Sequence, residues 1–348
     1  MKKFDFVIGN PPYQDDTTGD NKSFAPPVYN KIMEAAFKIA DKAAFITPAR
    51  FLFDAGATPK DFNRRMLNDP HFKVLDYAPD AKKYFKGVDI EGGVAITFRD
   101  ETKNFGAIGT FTPFKELRSA CEKIITRTDF VDLGKIISGR TPYLFTDKMH
   151  EDFPDAKTKL SNGHLYDISS NAFAALPEIF SSEKPNDDCL RVLGRLNNER
   201  AYCWIKKEYV CSRVKEYIGK WKIFLPKANG ASGKLSDKEA ARIISKPVIG
   251  EPLDISTDTF LVVGAFDTRD EMDACLKYIK SKFARCLLGA LKVTPVNPKA
   301  TWAKVPLQDF TVSSDIKWSL DVDEQLYRKY DLSTEEINFI ETHVKGMT

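Results

Sequence analysis

The stretch that most constrains this chain lies at its front: Phe4-Asp5-Phe6-Val7-Ile8-Gly9-Asn10-Pro11-Pro12-Tyr13-Gln14. An apolar run too short to span a bilayer meets a glycine, then a polar residue, two prolines and an aromatic. That pattern reads as a buried parallel strand ending at the carboxyl edge of a sheet. In open α/β sheets this edge is where ligands bind.

The residues of the turn suit one kind of chemistry. An adenine amino nitrogen is a poor nucleophile because its lone pair is delocalised into the ring. Two acceptors aimed at its two N–H bonds would draw that pair out. The amide oxygen of the Asn10 side group is one acceptor, and the backbone carbonyl of Pro11 is the other, left free because Pro12 has no N–H. Tyr13 offers a flat face on which an extruded base can stack. Asn10 has no useful pKa, so the turn acts by positioning and electrostatics rather than as a general base.

Alternating elements follow. Gln14 to Ala25 is a polar loop long enough to close over a site. Pro26-Pro27 start a helix carrying Val28, Ile32, Met33, Ala36, Phe37 and Ile39 at helical spacing. Ala43 to Thr47 is the next strand, stopped by Pro48 and followed by Arg50-Phe51-Leu52-Phe53. Pro59 to Leu67 reads as a second helix and Lys73 to Tyr77 as a third strand. A loop with Phe85-Lys86-Gly87-Val88 then precedes a fourth strand ending at Phe98. The first two strands, joined by one helix, make a parallel unit.

This series resembles the second half of a gamma-type adenine-N6 DNA methyltransferase of restriction-modification systems, over residues 4–98. The turn matches the family's Asn-Pro-Pro-Tyr motif. The resemblance implies that Asn10, Pro11, Pro12 and Tyr13 form the catalytic turn. It also implies that Phe85, or Tyr84 in its place, stacks on the other face of the flipped base. Residues 131–348 are similar, more loosely, to the target-recognition domains of the same methylases, starting at Leu133-Gly134-Lys135-Ile136. Residues 1–130 are then the carboxyl half of a catalytic domain with a connector that bears a helix at Lys115 to Ile125. The expected fold is α/β: a partial Rossmann-like methyltransferase sheet followed by a mixed α+β recognition domain.

Charge distribution adds to this. The net charge is only +3, but residues 201–250 hold eleven Lys/Arg against four acids, and residues 311–348 hold four against eight. A basic middle fits a surface that faces a polyanion, here double-stranded DNA. Lys222, Lys227 and Lys234 would neutralise phosphates, and Arg195 and Asn229 have the donor geometry that reads base edges. A helix is expected from about Asp270 to Leu291. Ser333 with Glu336 makes a capping box for a last one.

Other signals point away from alternatives. Six cysteines without a C-x-x-C and four scattered histidines imply reduced thiols, no metal site and a cytoplasmic location. No signal peptide or membrane-spanning run is present. Gly230-Ala231-Ser232-Gly233-Lys234 is too closely spaced for a phosphate loop. Pro79-Asp80 with Glu101-Thr102-Lys103 is a weak imitation of a metal-dependent nuclease site.

The Gly-rich turn that would hold S-adenosylmethionine is not found before Asn10 or after the recognition segment. The first strand is therefore expected to be an apolar edge. The cofactor half is expected on a second polypeptide or a missing segment, with methyl transfer only in its company. Two other readings compete: a non-catalytic DNA-recognition module of a split or decayed restriction-modification gene, and a protein glutamine or RNA methyltransferase.

Overall fold

The computed structural model describes residues 3–15, 25–214, 216–229 and 233–347. The polypeptide forms two compact units, Met1–Lys123 with Gly289–Thr294, and Ile124–Leu288 with Pro295–Thr348. The division falls after Lys123 rather than after residue 130, and a short return segment joins the first unit. Both units mix helices with small sheets.

In the first unit, β1 (Phe4–Gly9), α1 (Tyr29–Ile39) and β2 (Ala40–Pro48) come first, with no break between helix and second strand. β2 ends at Pro48, which cannot donate to a sheet ladder. A 3-10 turn, Ala49–Phe53, leads to α2 (Lys60–Asn68) and β3 (Phe72–Ala78), and β4 (Val94–Asp100) closes the sheet. The strand order is β1-β2-β4-β3. β1 lies parallel to β2, with Phe6 opposite Lys42 and Gly9 opposite Phe45, while β4 is inserted antiparallel between β2 and β3.

One sheet face carries the core. Tyr29, Met33 and Ala36 of α1 and Phe62 and Met66 of α2 pack against Ala43, Phe45, Phe72 and Ala95, at the spacing that puts successive helical turns on one side. Phe51 is fully buried among Tyr29, Phe62 and Phe72, with ring centroids 6.2, 5.5 and 6.4 Å away. This packing fixes the 3-10 turn, and with it Arg50, at the carboxyl end of β2.

The β3-β4 connection is pinned by a glycine. Gly93 has φ +77°, and a Cβ there would stand 2.2 Å from the Ala78 carbonyl oxygen and 2.8 Å from Pro79 Cα. Its own carbonyl accepts from Ala49 N–H at 2.9 Å, tying the 3-10 turn to β4. Gly93→Ala combines left-handed strain with a backbone clash and is expected to cost about 3 kcal/mol or more of unfolding free energy, measured by urea denaturation.

As expected, β1 is the outer strand. Among the described residues it pairs only with β2, and Phe4, Phe6 and Ile8 are 54%, 46% and 78% exposed. α3 (Lys115–Ile125) matches the helix read from the sequence.

The second unit holds short strands and helices around another core. β5 (Tyr143–Phe145) is followed by three short helices, α4 (Asp147–Asp152), α5 (Ala156–Lys159) and α6 (Ala172–Ala175). β6 (Cys189–Leu196), β7 (Glu199–Lys206) and β8 (Val210–Ser212) come next, then α7 (Glu216–Gly219) and β9 (Trp221–Pro226). β10 (Val248–Gly250), β11 (Asp254–Ser256) and β12 (Phe260–Phe266) complete the strands. The sheets are β10-β9-β12, β11-β6-β7 and β5-β8.

The helix expected over Asp270 to Leu291 is two helices, α8 (Arg269–Lys280) and α9 (Lys282–Gly289). Ser281 between them is extended, with ψ 151°. Asp323 caps the second helix by accepting from the N–H groups of Lys282 and Phe283 at 3.0 and 2.8 Å. A partner about forty residues downstream thus creates a break that local periodicity hides. The last elements are α10 (Val322–Lys329) and α11 (Thr334–His343), the latter with the Ser333–Glu336 capping box. No helix among the described residues is long and apolar enough to cross a membrane.

Candidate active site and nucleic-acid interface

The turn after β1 is partly exposed. Asn10 and Pro12 are exposed, Pro11 is buried and Tyr13 is half-buried. Among the described residues neither the Asn10 side group nor the Pro11 carbonyl has a hydrogen-bond partner. Of the two acceptors named from the sequence, the Asn10 side group is exposed, while Pro11 is buried. The segment just beyond is anchored: Val28 N–H donates to the Tyr13 carbonyl at 3.3 Å, and Asp15 N–H to the Pro26 carbonyl at 2.8 Å.

Beside Tyr13 opens a hollow of about 450 Å³. Its walls include Tyr13 and Gln14 from the turn, Tyr29 at the start of α1, Pro48 at the end of β2, Arg50 just after it, and Glu91 before β4. These are the carboxyl ends of two adjacent parallel strands, the place where α/β sheets hold ligands. Arg50 Nη1 lies 4.0 Å from Glu91 Oε2. Burial pushes the Tyr29 phenol up to about 12, against the opposing pull of Thr58 and the Arg50 charge, so it stays neutral at pH 7. Burial likewise raises the Tyr13 phenol, whose oxygen is buried without a partner among the described residues.

Phe85 comes to Tyr13. Their ring centroids are 6.4 Å apart at 78°, an edge-to-face contact, so the two rings meet at one wall rather than standing as parallel plates. Tyr84 is committed elsewhere, its hydroxyl donating to Asp76. The Gln14 to Ala25 loop lies outside the described residues except for its ends. Sequence reasoning does not single out Arg50 and Glu91 as members of a site. The one available signal is an arginine placed just after the strand-ending Pro48.

The residues expected to touch DNA separate into three groups. Lys222 is a correction: it sits in the central strand β9 with no exposed surface, its Nζ donating to the carbonyls of Asp254 at 2.7 Å and Ile218 at 3.2 Å. Burial lowers its pKa to about 7, and it cannot reach a phosphate from there. Asn229 is a second correction, 7% exposed, with its Oδ1 accepting from Ser245 Oγ at 3.1 Å and its backbone N–H donating to the Pro295 carbonyl at 2.9 Å. A group so held cannot enter a groove.

Lys227 is mostly buried and ion-paired with Asp258, which also accepts from Thr141 N–H. Lys234 is half-buried. Arg195 alone of the five is fully on the surface, at the end of β6, where its Nη2 donates to the Asn198 carbonyl at 3.1 Å. The segment that carries Lys222 and Lys227 is mainly a strand hydrogen-bonded on both sides, to β10 and β12, rather than an open basic surface. Both lysines find their partners inside the unit.

Among the described residues no group of His, Cys, Asp or Glu could hold a metal ion. No curated protein matches this sequence. Solved structures similar to it at low TM-score include two restriction enzymes. One is the type IIG restriction endonuclease BpuSI, at 12% identity and TM-score 0.30, over 94% of this chain and 48% of that one. The other is the type IIL restriction-modification enzyme MmeI in complex with DNA, at 10% identity and TM-score 0.35, over 89% and 46%. The present polypeptide thus spans about half the length of either. Residues 1–85, which hold β1, the Asn10–Tyr13 turn, α1, β2, α2 and β3, match the model of the Eco57I restriction-modification methylase family.

Proposed function

We propose that this protein is the base-gripping and DNA-reading part of an adenine-N6 DNA methyltransferase of a restriction-modification system. The observation that carries the reading is the pair of acceptors without a partner among the described residues, the exposed Asn10 Oδ1 and the Pro11 carbonyl, at the carboxyl tip of β1, in a turn whose Tyr13 and Gln14 line a hollow. An adenine amino group donating to both acceptors loses conjugation with its ring and presents its lone pair outward. Tyr13 supplies the flat wall for the extruded base, and the neutral Tyr29 phenol and Arg50 line the space beyond.

S-adenosylmethionine supplies the methyl group in this chemistry. The residues present do not fit it, because no Gly-rich strand-to-helix turn occurs in this sequence. The free edge of β1, with exposed Phe4, Phe6 and Ile8, suits pairing with the strands of a cofactor-binding half on a second polypeptide. Ile8→Lys is expected to leave this protein folded, since Ile8 is 78% exposed, and to abolish its co-purification with that half.

The function is tested by purifying the complex of the two polypeptides and supplying DNA with methyl-labelled S-adenosylmethionine. Digestion to nucleosides should place the label in N6-methyladenine. Label in methylcytosine, in RNA or in protein glutamine would reject the reading.

A further inference from the structure

The geometry points to the β6-β7 hairpin as a two-stranded ribbon that enters the DNA major groove, with Arg195 and Arg200 reading base edges. This deepens the functional reading above and rests on its assignment of DNA as the substrate.

The ribbon is built to project. β6 and β7 pair antiparallel from Cys189–Lys206 to Leu196–Glu199. Neighbouring β11 accompanies β6 only over Arg191–Leu193. Past that point the ribbon has two strands, closed by a turn in which Asn197 and Asn198 have φ 50° and 66°. Two consecutive positive values at Asn-Asn make a tight hairpin turn whose twist matches its strands. A major groove about 12 Å wide admits such a ribbon.

Its surface has the chemistry for base contact. Residues 189–206 hold Arg191, Arg195, Arg200 and Lys206 against Glu199. Arg195 and Arg200 stand directly opposite each other at the tip, and both are exposed. Arg195 Nη2 donates to the Asn198 carbonyl at 3.1 Å and to its Oδ1 at 3.4 Å, and Arg200 Nη2 donates to the Lys246 carbonyl at 3.0 Å with its guanidinium 5.9 Å from the Phe260 ring centre. A guanidinium has five N–H groups, so each keeps donors free for a guanine edge. Tyr202, two residues along from Arg200 on the same face of the ribbon, is 42% exposed, apolar surface that a thymine methyl would cover.

The helices of the same unit are poorer candidates for a groove. α10 and α11 lie in the acidic tail, where Asp321, Asp323, Glu324, Asp331 and Glu341 line one hollow, and α8 opens with Asp270 and Glu271. Phosphates avoid such surfaces.

The test is selection of duplexes from a random pool by the full-length protein, followed by titration of the selected duplex and a scrambled one. Wild type should yield a consensus, and Arg195→Ala and Arg200→Ala should each lose preference at one position. Each should weaken binding to the selected duplex about tenfold or more, with little change on the scrambled one. Arg195→Lys should behave like the alanine variant, because a single ammonium does not replace a two-pronged contact.

Three results would overturn the inference: an unchanged consensus in both variants, equal losses on both duplexes that Arg195→Lys restores, or equal competition by an RNA duplex, whose major groove protein groups cannot read. Because selection needs no methyl transfer, the ribbon can fail while label still enters adenine. The converse outcome, a consensus with no label in adenine, rejects the catalytic reading and leaves the ribbon standing.

Discussion

Replacing Asn10 by alanine is expected to lower the methyl-transfer rate of the two-polypeptide complex by about two to three orders of magnitude, with DNA affinity changed by less than about twofold. The residue is exposed and its side group has no partner among the described residues, so its loss leaves no packing defect. What disappears is one of two acceptors that localise the amino lone pair. Single-turnover kinetics and a binding titration on the same preparation separate the two effects. If affinity and rate fell together, the turn would be a structural support for the DNA surface and not the seat of the chemistry.

The second large effect concerns Lys222. Its folded-state pKa of about 7 lies well below the ordinary 10.5, so the unfolded protein binds more protons between those values. Stability should therefore rise with pH from about 7 to about 10.5, by up to about 5 kcal/mol from this group. Below pH 7 the residue is charged in both states, and the burial penalty applies in full. Lys222→Met removes that rise, at the cost of the hydrogen bonds to the carbonyls of Asp254 and Ile218. Relative to wild type, the variant should be most favoured near pH 6 and lose the advantage steadily toward pH 10, as read by urea unfolding across that range. Parallel curves for the two proteins would mean that the ammonium is solvated. The salt dependence of DNA binding should be the same in both.

The first unit is legible in the sequence because its signals are local. Apolar runs, helical spacing at Met33 and Ala36, and Pro48 all act within one element. The antiparallel insertion of β4 between β2 and β3, and the return of Gly289–Thr294 to this unit, are set by packing between distant segments.

In the second unit the same logic misleads. A lysine among aromatics in a turn-rich stretch reads as outward-facing, yet the stretch opens with β9, which has neighbours on both edges, and Lys222 ends among backbone carbonyls. Asn229 reads as a base reader but is held by Ser245 and Pro295. The Asn197-Asn198 pair between two alternating runs is a local hairpin signal that points to Arg200 and Tyr202 beside it. Of the Asn10–Tyr13 turn, residue type and position are legible. Its hollow is not, because Tyr29, Arg50 and Glu91 converge there from three separate segments.

The central claim is that the tip of β1 grips an adenine. Its most direct measurement is the chromosomal methylation pattern of the host, read at single-base resolution, with and without Asn10→Ala in the native gene. That setting supplies whatever partner and cofactor the protein uses. The account predicts that N6-methyladenine vanishes from one short sequence and persists elsewhere. An unchanged pattern, or loss of a methylated cytosine instead, would contradict it.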